Sequence, residues 1–198
     1  DLSDVKKSDG VVTVITAEDL KYKNDTSPSV ADEPLLSEGL IHFLGQPIFL
    51  VVAETHLKAR KAAKLGKITY LEKKPILTIN EAISANSTLA DGCCSYKKGS
   101  PNDKIERAPV QLADSFYVGG QEHFYLEGQV ALAIPQDDTG IVIHCSSQHP
   151  TEIQHKVSDA IGTEMHNVTV AVRRMGGAFG GKESQGTALA IACAIAST

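Results

Sequence analysis

Short apolar runs separated by turn residues set the pattern of the first seventy positions. Val11-Val12-Thr13-Val14-Ile15 is β-branched and lies between Gly10 and a Thr16-Ala17-Glu18-Asp19 turn, and Ile48 to Ala53 is a second continuous apolar run. Such runs pack well on a pleated surface and predict two buried strands. From Glu54 to Leu65, Ala and Leu interleave with Lys and Arg, which predicts a helix closed by Gly66 as a left-handed cap. Ile68 to Leu71 resumes strand character before Pro75, so strand, helix and strand would form a right-handed crossover if the strands are parallel.

Between Ala85 and Ala108 apolar periodicity gives way to Ser, Asn, Asp, Gly and Lys, the composition of a linker. Phe116 to Val118, Gln129 to Ile134 and Ile141 to Ser146 then read as strands of a mixed sheet, with Asp137, Asp138 and Gly140 as punctuation. Pro150 opens a helix on which Ile153, Val157, Ala160 and Ile161 share one face, and Gly162 ends it. Val168 to Val172 returns to strand, followed by a glycine-rich turn and an Ala-rich helix from about Glu183. That helix is apolar all round and reaches Thr198 uncapped, so further sequence is expected beyond it.

Composition narrows the chemistry. The chain carries 19 Lys+Arg against 24 Asp+Glu, a formal charge of -5, with no long basic run. Phosphate neutralisation needs clustered basic residues, and the chain has no Trp, so nucleic acid is not an expected partner. The longest apolar run, Ala188 to Ala196, falls well short of the ~20 residues a bilayer requires, and no membrane partner is expected. Cys93, Cys94, Cys145 and Cys193 lack CxxC spacing. Free thiols suit a reducing, cytoplasmic compartment, and vicinal Cys93-Cys94 would reach disulfide geometry only with difficulty.

Two segments concentrate candidate chemistry. Arg173-Arg174-Met175-Gly176-Gly177-Ala178-Phe179-Gly180-Gly181-Lys182-Glu183 places four glycines at a strand-to-helix junction, where absent Cβ atoms permit a sharp turn or close approach of a ligand. A helix N-terminus there would offer free N–H groups to an anion, while a purely structural turn is the plain alternative. Gly176, Gly181 and Lys182 satisfy GxxxxGK, but Glu183 stands where a phosphate loop needs Ser or Thr on magnesium. Ala178 likewise breaks the dinucleotide fingerprint. Gly119-Gly120-Gln121-Glu122-His123-Phe124-Tyr125-Leu126-Glu127 gathers an amide, acids and an imidazole without zinc spacing, and the remaining histidines are scattered.

Together these segments resemble the molybdenum hydroxylases, in particular the molybdopterin-binding large subunit of bacterial-type xanthine dehydrogenases. Ser146-Ser147-Gln148 before Pro150 is similar to the family's intervening segment, and Phe43-Leu44-Gly45-Gln46-Pro47 resembles part of its hammerhead domain. The resemblance covers nearly the whole chain. It implies a mixed α/β (α+β) architecture: residues 1–85 an α/β hammerhead lacking its first strands, 86–108 a linker, and 109–198 the first part of the molybdopterin cofactor-binding domain.

Carried over residue by residue, the resemblance gives Gln121 a hydrogen bond to an oxygen on molybdenum, without direct ligation. It gives Gly177, Phe179 and Gly180 a place close to the cofactor, Phe179 near the metal. It sets Glu183 against the substrate, where an acid favours a purine over the aldehydes that related enzymes oxidise. Gln121 and Glu183 are thus the expected catalytic residues. Ala178 departs from the family, which commonly has glycine there. A methyl group is tolerated at that point if the backbone is ordinary and displaces the loop if it is not.

The implied reaction hydroxylates hypoxanthine or xanthine to urate with oxygen derived from water. Electrons would leave through 2Fe–2S clusters and FAD on other domains or subunits, since no iron–sulfur cysteine pattern occurs here, with NAD bound elsewhere as final acceptor. The expected partners are the iron–sulfur/FAD subunit and the rest of the molybdenum subunit, and the family's general-base glutamate and substrate-clamping residues are expected beyond Thr198. This piece alone is expected to be inactive. The alternatives are hydroxylation of another N-heterocycle or an aldehyde, a glycine-loop nucleotide-binding module, and a non-catalytic assembly domain.

Overall fold

The computed structural model describes residues 1–88 and 95–198, so the Cys93-Cys94 pair lies outside the described residues. The chain divides into two units, residues 1–68 with 122–198 and residues 69–121.

The first unit opens with a helical turn α1 (Ser3–Lys6) and strand β1 (Val11–Thr16), which pairs antiparallel with β2 (Phe49–Ala53) through an irregularity between Val11 and Thr13. Helix α2 (His56–Ala63) follows, with the Lys58 N–H donating to the Thr55 hydroxyl at 3.2 Å, so that a side chain satisfies one of the unpaired donors of its first turn. Val5, Val14 and Ala62 form a small buried cluster here, with Leu2, Val11, Phe49 and Val51 packed against it.

Three expectations for this region change. The strands are only partly covered rather than buried, with Val12 exposed. Gly66 has no left-handed backbone; a Cβ there would come within 2.8 Å of the Phe49 ring, so close packing is what requires glycine. Residues 68–71 form no strand, because the chain at Lys67 bonds to the Asp1 carbonyl at 3.0 Å and no ladder partner is available. No crossover therefore forms at this place.

In the second unit, α3 (Ile79–Ser84) begins with a Thr78–Glu81 capping box, and α4 (Pro101–Glu106) starts with proline at its first position. The segment expected to be linker thus contains a helix. Phe116 to Val118 form no strand: among the described residues of this unit there is no other strand to pair with, and these side chains are exposed.

Returning to the first unit, β3 (Ala131–Pro135), β4 (Ile141–Cys145) and β5 (Val168–Ala171) form the mixed sheet anticipated from the pattern, β3–β4 antiparallel and β4–β5 parallel. Helix α5 (Pro150–Ile161) supplies the crossover between the parallel strands and ends on Gly162 in left-handed conformation (φ 68°). Helix α6 (Gly186–Ser197) packs on α5 and β3, with Ile191 filling the core and the small side chains of Ala190 and Ala194 permitting close approach. Ile141, Ile143, Ile153, Val157 and Val168 complete the main core.

The long irregular stretch between β1 and β2 is tied to this core by Leu35 and Leu36. The Asn24 amide exchanges hydrogen bonds with the Leu36 backbone (2.8 and 2.9 Å), and Asp25 pairs with Lys156 of α5 at 2.6 Å. Cys145 and Cys193 are free and half-buried, and burial pushes both thiols up from their ordinary value. Among the described residues no helix is long and apolar enough to cross a membrane.

Ile153 is fully buried at the centre of this packing. Ile153→Ala is expected to lower the unfolding free energy by ~2–5 kcal/mol, read as a fall in the urea midpoint. An unchanged midpoint would contradict its placement in the core.

Candidate active site

The glycine loop leaves β5 and does not become helix until Gly186, three residues later than Glu183, where the apolar pattern predicts the start. The reason lies at Lys182. Its N–H donates to Gln148 Oε1 (3.2 Å), and its carbonyl accepts from the Gln148 N–H (2.9 Å), so the segment is drawn to the β4–α5 connection instead of coiling. Left-handed backbone at Phe179 (φ 52°) and Gly180 (φ 90°) also interrupts any helix upstream. The glycines consequently do not cap α6, and an anion cradle at that helix end is not formed by them.

What holds the loop is a side chain from the other segment. The Glu127 Oε2 atom accepts three hydrogen bonds: from the Gly176 N–H at 2.9 Å, from Lys182 Nζ at 2.8 Å and from the Ser146 hydroxyl at 2.7 Å. The backbone N–H of Glu127 donates to the Gly176 carbonyl at 3.2 Å. One residue therefore grips both ends of the turn.

Lys182 is 0% exposed, and its ammonium lies 4.7 Å from the centre of the Tyr125 ring. A buried cation needs such partners, because its lost hydration is otherwise uncompensated. The Gln129 amide joins the cluster, donating to the Gly181 carbonyl (2.9 Å) and to the Tyr125 hydroxyl (3.1 Å). Gly181 must be glycine for a steric reason: a Cβ would stand 2.6 Å from the Tyr125 ring and 2.9 Å from His123 Cγ. The Lys182 bond, followed by those from Gly176 and Ser146, holds the Glu127 carboxyl down at about 2.

Beyond these anchors the loop is open. Phe179 is 75% exposed, and the N–H groups of Gly177, Ala178, Phe179 and Gly180 have no acceptor among the described residues. Gly177 is left-handed (φ 92°), whereas Ala178 is buried and has no left-handed backbone, so its methyl group is accommodated where the family commonly has glycine. Glu183 is exposed, its N–H 3.5 Å from the Gly180 carbonyl, and its carboxylate has no ion pair or hydrogen bond among the described residues. Gly177, Phe179, Gly180 and Glu183 are thus brought together on one turn. Gln121 is the exposed last residue of the 69–121 unit, its amide unbonded among the described residues.

The arrangement also decides against a phosphate-binding role for Lys182. Its ammonium is enclosed and paired, with no surface left for a ligand. Reading the sequence missed Glu127, Tyr125 and Gln129 as partners of the loop. The available signal was two acids in the first segment, Glu122 and Glu127, and one lysine in the second, with nothing to pair them.

Two domain models match the chain: an aldehyde oxidase and xanthine dehydrogenase a/b hammerhead domain over residues 1–74, and a molybdopterin cofactor-binding domain over residues 84–198. The chain is 34% identical to the xanthine dehydrogenase of Drosophila pseudoobscura pseudoobscura, covering 99% of this chain and 15% of that protein. It is 40% identical to a nicotinate hydroxylase of Emericella nidulans, covering 88% and 13%. The fold superposes on the aldehyde oxidoreductase of Desulfovibrio gigas with a TM-score of 0.82 at 28% identity, covering 99% of this chain and 24% of that one. The chain thus spans about a quarter or less of the length of each.

Because the Glu127 carboxyl lies at about 2 against an ordinary 4.5, its ionised form stabilises the fold above about pH 4.5, and this contribution is lost as pH falls from 4.5 towards 2. Glu127→Gln should flatten that part of the curve of urea midpoint against pH and lower the midpoint at pH 7. Superimposable curves for the two proteins would contradict the contact.

Proposed function

The chain belongs to the molybdenum hydroxylases, the family of its hammerhead and molybdopterin cofactor-binding domains, and from that premise we propose that the intact protein hydroxylates a purine, hypoxanthine or xanthine, to urate. The observation that carries the choice of substrate is Glu183: an exposed carboxylate without a partner among the described residues, on the same turn as four backbone N–H groups that likewise have none. An unpaired acid at the edge of a site suits a heterocycle with ring N–H groups, which an aldehyde lacks.

The loop fits an oxygen-rich cofactor. Gly177, Phe179 and Gly180 have left-handed backbone, and their N–H groups and that of Ala178 have no acceptor among the described residues; unpaired N–H groups in such turns can bind anionic or strongly accepting ligands. Gly177, Phe179 and Gly180 would hold molybdenum-molybdopterin, and the family resemblance alone assigns the Gln121 amide a hydrogen bond to an oxygen of that cofactor. When bound, the cofactor would supply oxygen transfer from water and take up the electrons, with 2Fe–2S clusters, FAD and NAD on other parts of the enzyme as the expected onward acceptors.

The chain's own residues bind and orient. Phe179 walls the site and excludes water, while Glu183 accepts a hydrogen bond from the purine and holds the proton at a ring nitrogen as charge develops. Gln121 keeps its acceptor correctly turned. A second reading, hydroxylation of a different N-heterocycle, is supported by the 40% identity to a nicotinate hydroxylase.

In the intact enzyme, Glu183→Ala should lower kcat/KM for xanthine by roughly 10²–10³ and leave that for benzaldehyde little changed. Steady-state assays with xanthine, nicotinate and benzaldehyde test this. Equal losses on all three, or none on xanthine, would refute the role of Glu183 in choosing a purine.

A further inference from the structure

We propose that Glu127 and Lys182 act together as a positioning lock: their ion pair sets the geometry of the turn from Gly176 to Glu183, and through it the presentation of the free N–H groups and the Glu183 carboxylate. As far as catalysis is concerned, this rests on the reading of the site given above.

A single carboxylate oxygen meets the N–H at the start of the turn, Gly176, and the ammonium of the residue that ends it, Lys182. Between them lie three left-handed positions: Gly177 and Gly180 have little backbone preference of their own to hold a unique path, and Phe179 is held in a conformation its side chain disfavours. Among the described residues the bonds inside the turn are the Gly181 N–H to the Ala178 carbonyl (2.8 Å) and the longer Glu183 to Gly180 contact. The path is therefore determined at its ends.

Each end is fixed to rigid structure. Ser146, which also donates to Glu127, follows β4, and Gln148, which brackets the Lys182 backbone, precedes α5. Tyr125 closes over the ammonium. Neither Glu127 nor the Lys182 side chain needs to touch substrate to matter: Glu183 is covalently next to Lys182, so movement of one moves the other. A displacement of about 1 Å is enough to cost on the order of 10²-fold in turnover.

The test uses the intact enzyme with Glu127→Gln, Lys182→Met and the double variant. Glu127→Gln leaves the buried ammonium unmatched and Lys182→Met leaves a partly exposed carboxylate without its cation, so both are expected to lower the thermal midpoint, the first more, while the double variant removes both charges and should recover much of it. Amide hydrogen exchange supplies the second readout. Gly181 and Lys182 donate to acceptors other than Glu127, so faster exchange there reports the path of the loop rather than a deleted bond. The lock predicts that these two amides stay fast in the double variant, with kcat for purine still reduced about 10²-fold although the midpoint has returned.

If exchange and kcat recover together with the midpoint, the pair serves stability alone and the lock is overturned. Unchanged exchange in both single variants overturns it as well. Should the wild-type enzyme contain molybdenum yet fail to oxidise purines, the substrate reading falls while the exchange data still decide the lock.

Discussion

The burial of one ammonium group organises this structure. Lys182 has no exposed surface, and a cation in that position is tolerable only with an anion in contact and further polar groups around it. Glu127 provides the anion at 2.8 Å, and the Tyr125 ring and the Gln148 contacts to the Lys182 backbone complete the surroundings. Meeting that requirement brings the segment from Glu122 to Glu127 alongside the glycine loop. It also leaves Phe179 exposed and the N–H groups of Gly177 to Gly180 without acceptors among the described residues.

The sheet and helices serve as the frame for this contact. Ser146 and Gln148 flank the junction of β4 and α5, and the crossover α5 is held by Ile153 and Val157 in the same core as α6. The loop therefore runs between two elements with a common core, its Lys182 end tied to Gln148 before α5 and its Gly176 end to Glu127. A flexible sequence of glycines acquires a defined path without forming regular structure.

Much of this frame was legible in the residues. The i, i+4, i+7 and i+8 spacing from Ile153 to Ile161, proline at the start and Gly162 at the end describe α5 almost to the residue, because local signals and tertiary packing agree there. Residues 68–71 and 116–118 misled, since an apolar run predicts a strand only if a ladder partner exists, and the run does not say whether one does. The glycine loop and Glu183 stood out by composition. The pairing that shapes them did not: Glu127 and Lys182 are 55 residues apart, and the lysine read more naturally as a candidate for phosphate. Ala178 is a smaller case, a departure from the family that an ordinary backbone dihedral renders harmless.

The central claim is that this turn, shaped by the Lys182–Glu127 contact, presents Glu183 to a purine beside the cofactor. A crystal structure of the intact, molybdenum-loaded enzyme with a bound purine inhibitor tests it most directly. The account predicts the Glu183 carboxylate within hydrogen-bond distance of the heterocycle, the Gly177–Gly180 amides facing the cofactor and Lys182 still paired with Glu127. A purine bound elsewhere, with Glu183 in solvent and the loop turned away from molybdenum, would contradict it.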